Sequence, residues 1–194
     1  KAVCAANKVS SAIAFTTTRT SGFFFLASSR ISRILPPLPP TNTQSGAERY
    51  PTIYVHGLMG WGQRAGINAV LPYWGMTTGS LPDYLATQGY ETYAASVGPL
   101  SSAWDRACEL YAQLAGTRTD YGVKHAQDFG HERYGIDYKQ PLFDGWGTER
   151  AVNLVGHSFG GATTRLFLEI LTNGCPEEVA AAKAAGVEPS PFFL

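Results

Sequence analysis

The chain has 194 residues, with 15 Lys and Arg against 15 Asp and Glu, 44% hydrophobic residues, 21 Gly and 12 Pro. That length suits one domain with an appendage, and the balanced charge offers no surface for nucleic acid or anionic membrane. The apolar run at residues 22–27 is far short of the roughly 20 needed to span a bilayer, and Cys4, Cys108 and Cys175 form neither a disulfide framework nor a zinc ribbon.

The first 47 residues differ from the rest. They carry Lys1, Lys8, Arg19, Arg30 and Arg33 without one Asp or Glu, are rich in Ser and Thr, and close on Pro36-Pro37-Leu38-Pro39-Pro40. A basic, hydroxyl-rich, acid-free start resembles an organelle transit peptide, and Phe23 to Ala27 could instead serve as a short signal-peptide core. A disordered or non-native leader fits the same composition. The proline run reads as a stiff spacer. Residues 1–47 are therefore set apart from the folded part, residues 48–194.

From Tyr50 onward strand and helix signals alternate. Thr52-Ile-Tyr-Val55 is a β-branched and aromatic run ending at His56-Gly57. Ser80-Leu-Pro-Asp83 offers an N-cap with Pro in the first turn, and that helix should stop at Gly89. Tyr90 to Val97 reads as a second strand, ended by Gly98-Pro99. Ser101-Ser102 then caps a helix with Trp104, Cys108, Tyr111 and Ala115 at helical spacing, closed by Gly116. Ala151 to Val155 is a further strand, and Phe159 to Thr172 a helix stopped by Asn173-Gly174. Pro176 to Ala185 opens with Pro and two acids and reads as a surface helix without chemistry of its own. Strands alternating with helices predict an α/β fold, a mostly parallel sheet with crossover helices.

The chemistry is expected where the last strand meets its helix. Gly156-His157-Ser158-Phe159-Gly160 is a G-x-S-x-G, placed after a strand and before a helix with a small-residue start (Gly160, Gly161, Ala162). Such a turn exposes Ser158 Oγ above the sheet edge as a nucleophile. The bland alternative is a structural turn serine. An oxyanion hole needs two main-chain donors, one after the nucleophile and one from an early strand-to-helix loop, which points to Phe159 and Leu58. His56 is then a loop-shaping residue and His157 a packing residue of the elbow, neither of them the base. Asp105, His125 and His131 form the other cluster of interest. Spacing alone does not separate a ligand set from exposed loop histidines. Trp61, Trp74 and Trp104 read as packing residues, and Cys108 as a buried free thiol.

Residues 50 to about 193 resemble the amino-terminal portion of the thermoalkalophilic bacillus and staphylococcal lipases. The matching stretches are His56-Gly57 through Trp61, Tyr73-Trp74-Gly75, Gly89-Tyr90 with Thr92-Tyr93, and the long block Val97 to Glu109. Tyr111 to Leu114, Asp120-Tyr121-Gly122, His125, Gly130-His131 and the elbow complete them. The resemblance covers about three quarters of this chain and implies an α/β-hydrolase fold. It implies a triacylglycerol lipase activity on acylglycerols or other fatty-acyl esters, contact with a lipid interface, and secretion. Esterase, thioesterase or acyltransferase chemistry would use the same elbow. The resemblance also implies a structural zinc held by Asp105, His125 and His131, in an insertion at about 101–140, with a fourth ligand, an Asp, beyond Leu194. Leu58 and Phe159 replace the family's Phe and Gln at the oxyanion positions, which keeps the main-chain donors and loses a Gln side chain.

In this fold the triad runs Ser, then Asp or Glu, then His. After Ser158 there are Glu169, Glu177, Glu178 and Glu188 but no histidine. The chain also stops in the apolar Pro189 to Leu194, which is expected to need further chain to cover it. The sequence therefore reads as truncated after the elbow helix, with the acid, the base, the lid and any calcium site beyond its end. On this reading it is a catalytically incomplete piece of a hydrolase, or a pseudo-enzyme that binds without turnover.

Overall fold

The computed structural model describes the backbone of residues 24–27, together with residues 50–147 and 150–194. The central sheet has four strands: β1 (Phe24–Ala27), β2 (Thr52–Val55), β3 (Thr92–Ala95) and β6 (Asn153–His157), in the order β1-β6-β2-β3. β2 lies between β3 and β6 and is parallel to both, with Ile53 opposite Tyr93 and Leu154. β1 runs antiparallel along β6, Phe24 opposite His157 and Ala27 opposite Leu154. The parallel α/β core is as predicted. β1 falls within residues 1–47, and the rest of that leader lies outside the described residues.

Alternation along the strands sends side chains to two faces. Ile53, Val55, Leu154 and Ala95 are essentially inaccessible and face α2 (Ala103–Ala115) and α4 (Phe159–Asn173). Tyr54 and Ala94 face the other way, against Trp74, Tyr73 and Leu85. Leu85 belongs to α1 (Leu81–Thr87), which is capped by Ser80 as predicted, the serine hydroxyl accepting from Asp83 N–H. α2 has a full capping box: Ser102 Oγ accepts from Asp105 N–H, while the Asp105 carboxylate accepts from Ser102 N–H. Gly116, at φ 67°, closes it.

The stretch between α2 and β6 holds more structure than the sequence predicts. β4 (Arg118–Asp120) pairs antiparallel with β5 (Tyr134–Asp137), and α3 (Val123–Phe129) lies between them. α2 itself belongs to the core through Ala107, Cys108, Leu110 and Leu114. Cys108 is the buried free thiol expected.

α5 (Pro176–Ala184) is the surface helix expected, anchored by Glu178, only 3% exposed, and packed against α3. The terminal Pro191–Phe193 turn folds back on the core, with Phe192 and Phe193 each 2% exposed. Phe192 stacks on Tyr111 and Phe193 on Trp104, so aromatic residues of α2 cover the apolar end. Among the described residues no helix is long and apolar enough to cross a membrane.

Candidate active site and metal centre

β6 delivers the chain to Ser158 and α4 takes it away, so the serine sits on the turn between them. Its φ of 53° and ψ of −121° lie in a region that a side chain disfavours, a strain of order 1–3 kcal/mol held by the surroundings. The flanking glycines make the turn possible by close approach. A Cβ on Gly156 would come within 2.6 Å of Gly160 and Gly161 backbone, and one on Gly160 would overlap the Val55 and His56 carbonyl oxygens. Ser158 is exposed at the open end of the sheet.

The loop after β2 comes up beside it. A Cβ on Gly57 would lie 3.0 Å from Ser158 Cβ, which places Gly57 against the serine. Tyr73 joins the two segments: its hydroxyl accepts from Gly57 N–H at 3.0 Å and contacts His157 Nδ1 at 2.6 Å. Leu58 follows Gly57, and Phe159 is the first residue of α4. Neither the Leu58 nor the Phe159 N–H donates to a protein acceptor among the described residues. Leu58 and Met59 are 55% and 72% exposed, an apolar surface next to the elbow.

None of the four histidines is set up as a base for Ser158. His157 is held by Tyr73, and His125 and His131 belong to the cluster around Asp105. His56 is fully buried, with Nδ1 2.9 Å from Gly57 O and Nε2 3.0 Å from Val97 O. A neutral ring can donate to only one of those carbonyls. Burial pushes the His56 pKa below its usual 6.5, helped by the Arg106 charge and opposed by the carbonyl contacts. Between that lowered value and 6.5 the unfolded chain binds the extra proton and the folded chain does not, so stability rises with pH there. Acidification below about pH 6.5 is therefore expected to lower the urea midpoint, and His56→Gln to remove that slope. Glu109, raised by burial, acts in the opposite sense: its contribution is complete below 4.5 and is lost as pH rises through its folded value. Comparing the variant with the parent separates the two. An unchanged slope in the variant would show that His56 is not its source.

Asp105, His125 and His131 converge. Each offers one ligand atom, and these atoms lie within 4.8 Å of one another. Asp105 Oδ1 is 2.9 Å from His125 Nε2 and 3.8 Å from His131 Nε2. The second oxygen, Oδ2, is held by the Ser102 hydroxyl at 2.8 Å, which leaves Oδ1 turned to the histidines. His131 Nδ1 is 2.9 Å from the Glu132 carbonyl, a contact that leaves Nε2 as the lone-pair nitrogen. His125 stacks on Trp104, whose indole N–H donates to Tyr121 O at 2.7 Å. A carboxylate oxygen with two imidazole nitrogens is a donor set for a divalent transition metal, and these residues fit one.

Sequence reasoning missed two residues that hold these sites. Glu178 of α5 accepts from Lys124 N–H at 2.9 Å and His125 N–H at 2.7 Å, serving as the cap that Gly122 lacks the side chain to provide. Its spacing within α5 carries no signal for this. Arg106 is fully buried beneath the Gly57 loop. Its position four residues before Leu110 and seven before Gln113 put it on a buried face of α2, a signal that was available.

A family model described as the lipase-like, C-terminal domain matches residues 48–194. Lipase 2 of Staphylococcus aureus is 46% identical over 147 residues, which are 75% of this chain and 21% of that protein. The crystal structure of Staphylococcus hyicus lipase superposes with a TM-score of 0.69 at 38% identity, covering 80% of this chain and 40% of that one. The structure of EstA from Clostridium botulinum gives 0.67 at 41% identity, covering 81% of this chain and 37% of that one. The chain thus spans about a fifth of the length of the curated relative and about two fifths of the solved chains.

Proposed function

The chain belongs to the lipase-like, C-terminal domain family, and on that premise we propose that it works in a carboxylic-ester hydrolase of the α/β-hydrolase fold that cleaves acylglycerols. Ser158 Oγ attacks the ester carbonyl, the Leu58 and Phe159 N–H groups receive the oxyanion, and the alcohol leaves as an acyl-enzyme forms. Water then releases the fatty acid. The observation that carries this reading is the Ser158 backbone, held at φ 53° between β6 and α4 by glycines whose neighbours admit no Cβ. Exposed Leu58 and Met59 supply apolar surface for an acyl chain or a lipid interface. The four histidines are engaged elsewhere, so turnover needs a base from outside these residues. A secreted location rests on the family resemblance alone.

A serine-directed fluorophosphonate tests the reading. In the product of the complete reading frame it is expected to modify one residue, Ser158, as read by peptide mass spectrometry. A folded product that stays unmodified would favour a binding protein without turnover and overturn the hydrolase.

The metal in this reading is zinc, with Asp105 Oδ1, His125 Nε2 and His131 Nε2 as protein ligands. Held by these residues, zinc would serve structurally, tying α3 and the turn after it to α2. Titration of the protein with Zn²⁺ is expected to raise its thermal midpoint and to do so less at acid pH, because histidine must be neutral to bind. Asp105→Asn should abolish the shift. Glu178→Gln, which weakens the hold on the His125 backbone, should cost about tenfold in affinity. A wild-type midpoint indifferent to Zn²⁺ would remove the metal from this account.

A further inference from the structure

Among the described residues Arg106 is the largest completely buried side chain, and neither the nucleophile nor the metal uses it. It makes no ion pair among the described residues; its acceptors are neutral. Nη2 donates to the His56 carbonyl, Nη1 to the Gly57 and Gly98 carbonyls at 3.3 and 3.1 Å, and Nε to Thr163 Oγ1 at 3.0 Å. The guanidinium also lies over the Phe159 ring, 5.2 Å from its centre. Burial pulls its pKa down and the nearby Glu109 charge restores part of that, so the group stays a cation. A buried cation is costly where an apolar side chain would pack as well, so its presence calls for a task that packing cannot do.

The acceptors identify that task. The Gly57 carbonyl and the Leu58 N–H are the two ends of one peptide unit, which is planar and trans, so fixing the carbonyl fixes the direction of the N–H. A cation on the oxygen also polarises the unit and strengthens the N–H as a donor. The same guanidinium reaches the other donor segment. Thr163 Oγ1 accepts from Arg106 and donates to the Phe159 carbonyl at 3.1 Å, while the Phe159 ring packs beneath the charge. Leu58 comes from the loop after β2 and Phe159 from α4, segments 101 positions apart that one planar group holds together.

We propose that Arg106 is a positioning residue of the oxyanion hole, helping to hold the Gly57–Leu58 peptide and linking it to the first turn of α4 so that both amides face one point beside Ser158. This rests on the reading of Ser158 as nucleophile. The role requires charge, planarity and reach together. Lysine keeps the charge and can serve one or two of the four acceptors; methionine keeps the volume and serves none.

The test uses the product of the complete reading frame, as wild type, Arg106→Met, Arg106→Lys and Thr163→Val, with p-nitrophenyl butyrate as substrate. Displacing one oxyanion donor should lower kcat by roughly 10–100-fold, because that contact is made in the transition state. KM in Arg106→Met should stay within about twofold and the pH profile should keep its midpoints, whereas general loosening of the fold would raise KM as well. Arg106→Lys should recover part of the loss, and Thr163→Val, which loses only the link to α4, should show a smaller fall. Where Arg106→Met does not fold, the lysine and valine variants carry the test, and wild-type kcat in both overturns the proposal. A folded Arg106→Met with kcat within twofold of wild type also overturns it. Wild type without Ser158-dependent turnover fails in a distinguishable way, sinking the hydrolase reading and this proposal with it.

Discussion

Replacement of Ser158 by alanine is expected to remove ester hydrolysis by the complete enzyme, lowering kcat by on the order of 10⁴–10⁶-fold while the protein stays folded. The loss is this large because the acyl-enzyme route disappears, leaving only binding and the oxyanion donors, which give roughly 10³–10⁴ over water in the best-studied serine proteases. The fold should be indifferent to the change. Ser158 is exposed and its side chain takes no part in capping α4, so alanine removes a hydroxyl and leaves a Cβ that is already accommodated. Thermal midpoints of parent and variant should agree closely. The 194-residue chain by itself is a second arm of the experiment. Its histidines are committed to Tyr73, to the carbonyls of Gly57 and Val97, and to Asp105. It should therefore hydrolyse p-nitrophenyl esters no faster than its own alanine variant. Turnover by the isolated chain that depends on Ser158 would require one of those histidines to leave its partners and act as base.

The second large effect is on stability, from one methyl group. Gly160→Ala should destabilise the fold by about 3 kcal/mol or more, at the upper end of overpacking costs. The Cβ would overlap the Val55 carbonyl oxygen and lie 2.8 Å from that of His56, and both obstacles are backbone at the end of β2. A flexible side chain would swing aside; a strand paired on both sides cannot. The strain has one outlet, separation of α4 from β2, which would also draw Phe159 away from Leu58. Urea denaturation should show the midpoint falling, with residual activity falling further than stability alone accounts for. Gly66→Ala is the control, since a Cβ there meets nothing within 4 Å, and it should change stability by less than about 0.5 kcal/mol. Equal midpoints for the two variants would mean that the close approach of α4 to β2 does not constrain the elbow.

Much of the site was legible in the residues because its signals are local. The elbow is a property of five consecutive positions, and Ser102, Gly116 and Ser80 mark helix ends through contacts within a few residues. The β-branched and aromatic run Thr52–Val55 foretold a buried strand, and the spacing of strands and helices foretold a parallel sheet. Asp105, His125 and His131 were found through resemblance to a family, since their spacing of 20 and 6 residues has no signature of its own. The structure supplies what spacing could not, the capping box that aims Asp105 and the stacking that turns His125 toward it.

What tertiary structure alone decided lies between residues far apart in sequence. Phe24–Ala27 became an edge strand because β6 offered it an unpaired edge, some 130 positions away. Phe192 and Phe193 closed the core because α2 presents Tyr111 and Trp104 to them. Glu178 capped α3 across 53 residues, and Arg106 gathered carbonyls from two loops and a hydroxyl from α4. Short-range patterns report the backbone's local preferences and which face of an element is apolar. They are silent on which distant carbonyl a buried cation will meet, because that partner exists only after strands and helices have packed. The elbow that carries Ser158 was therefore written in the chain, and the contacts by which Arg106 joins the β2 loop to α4 emerged only from the packing of α2 between them.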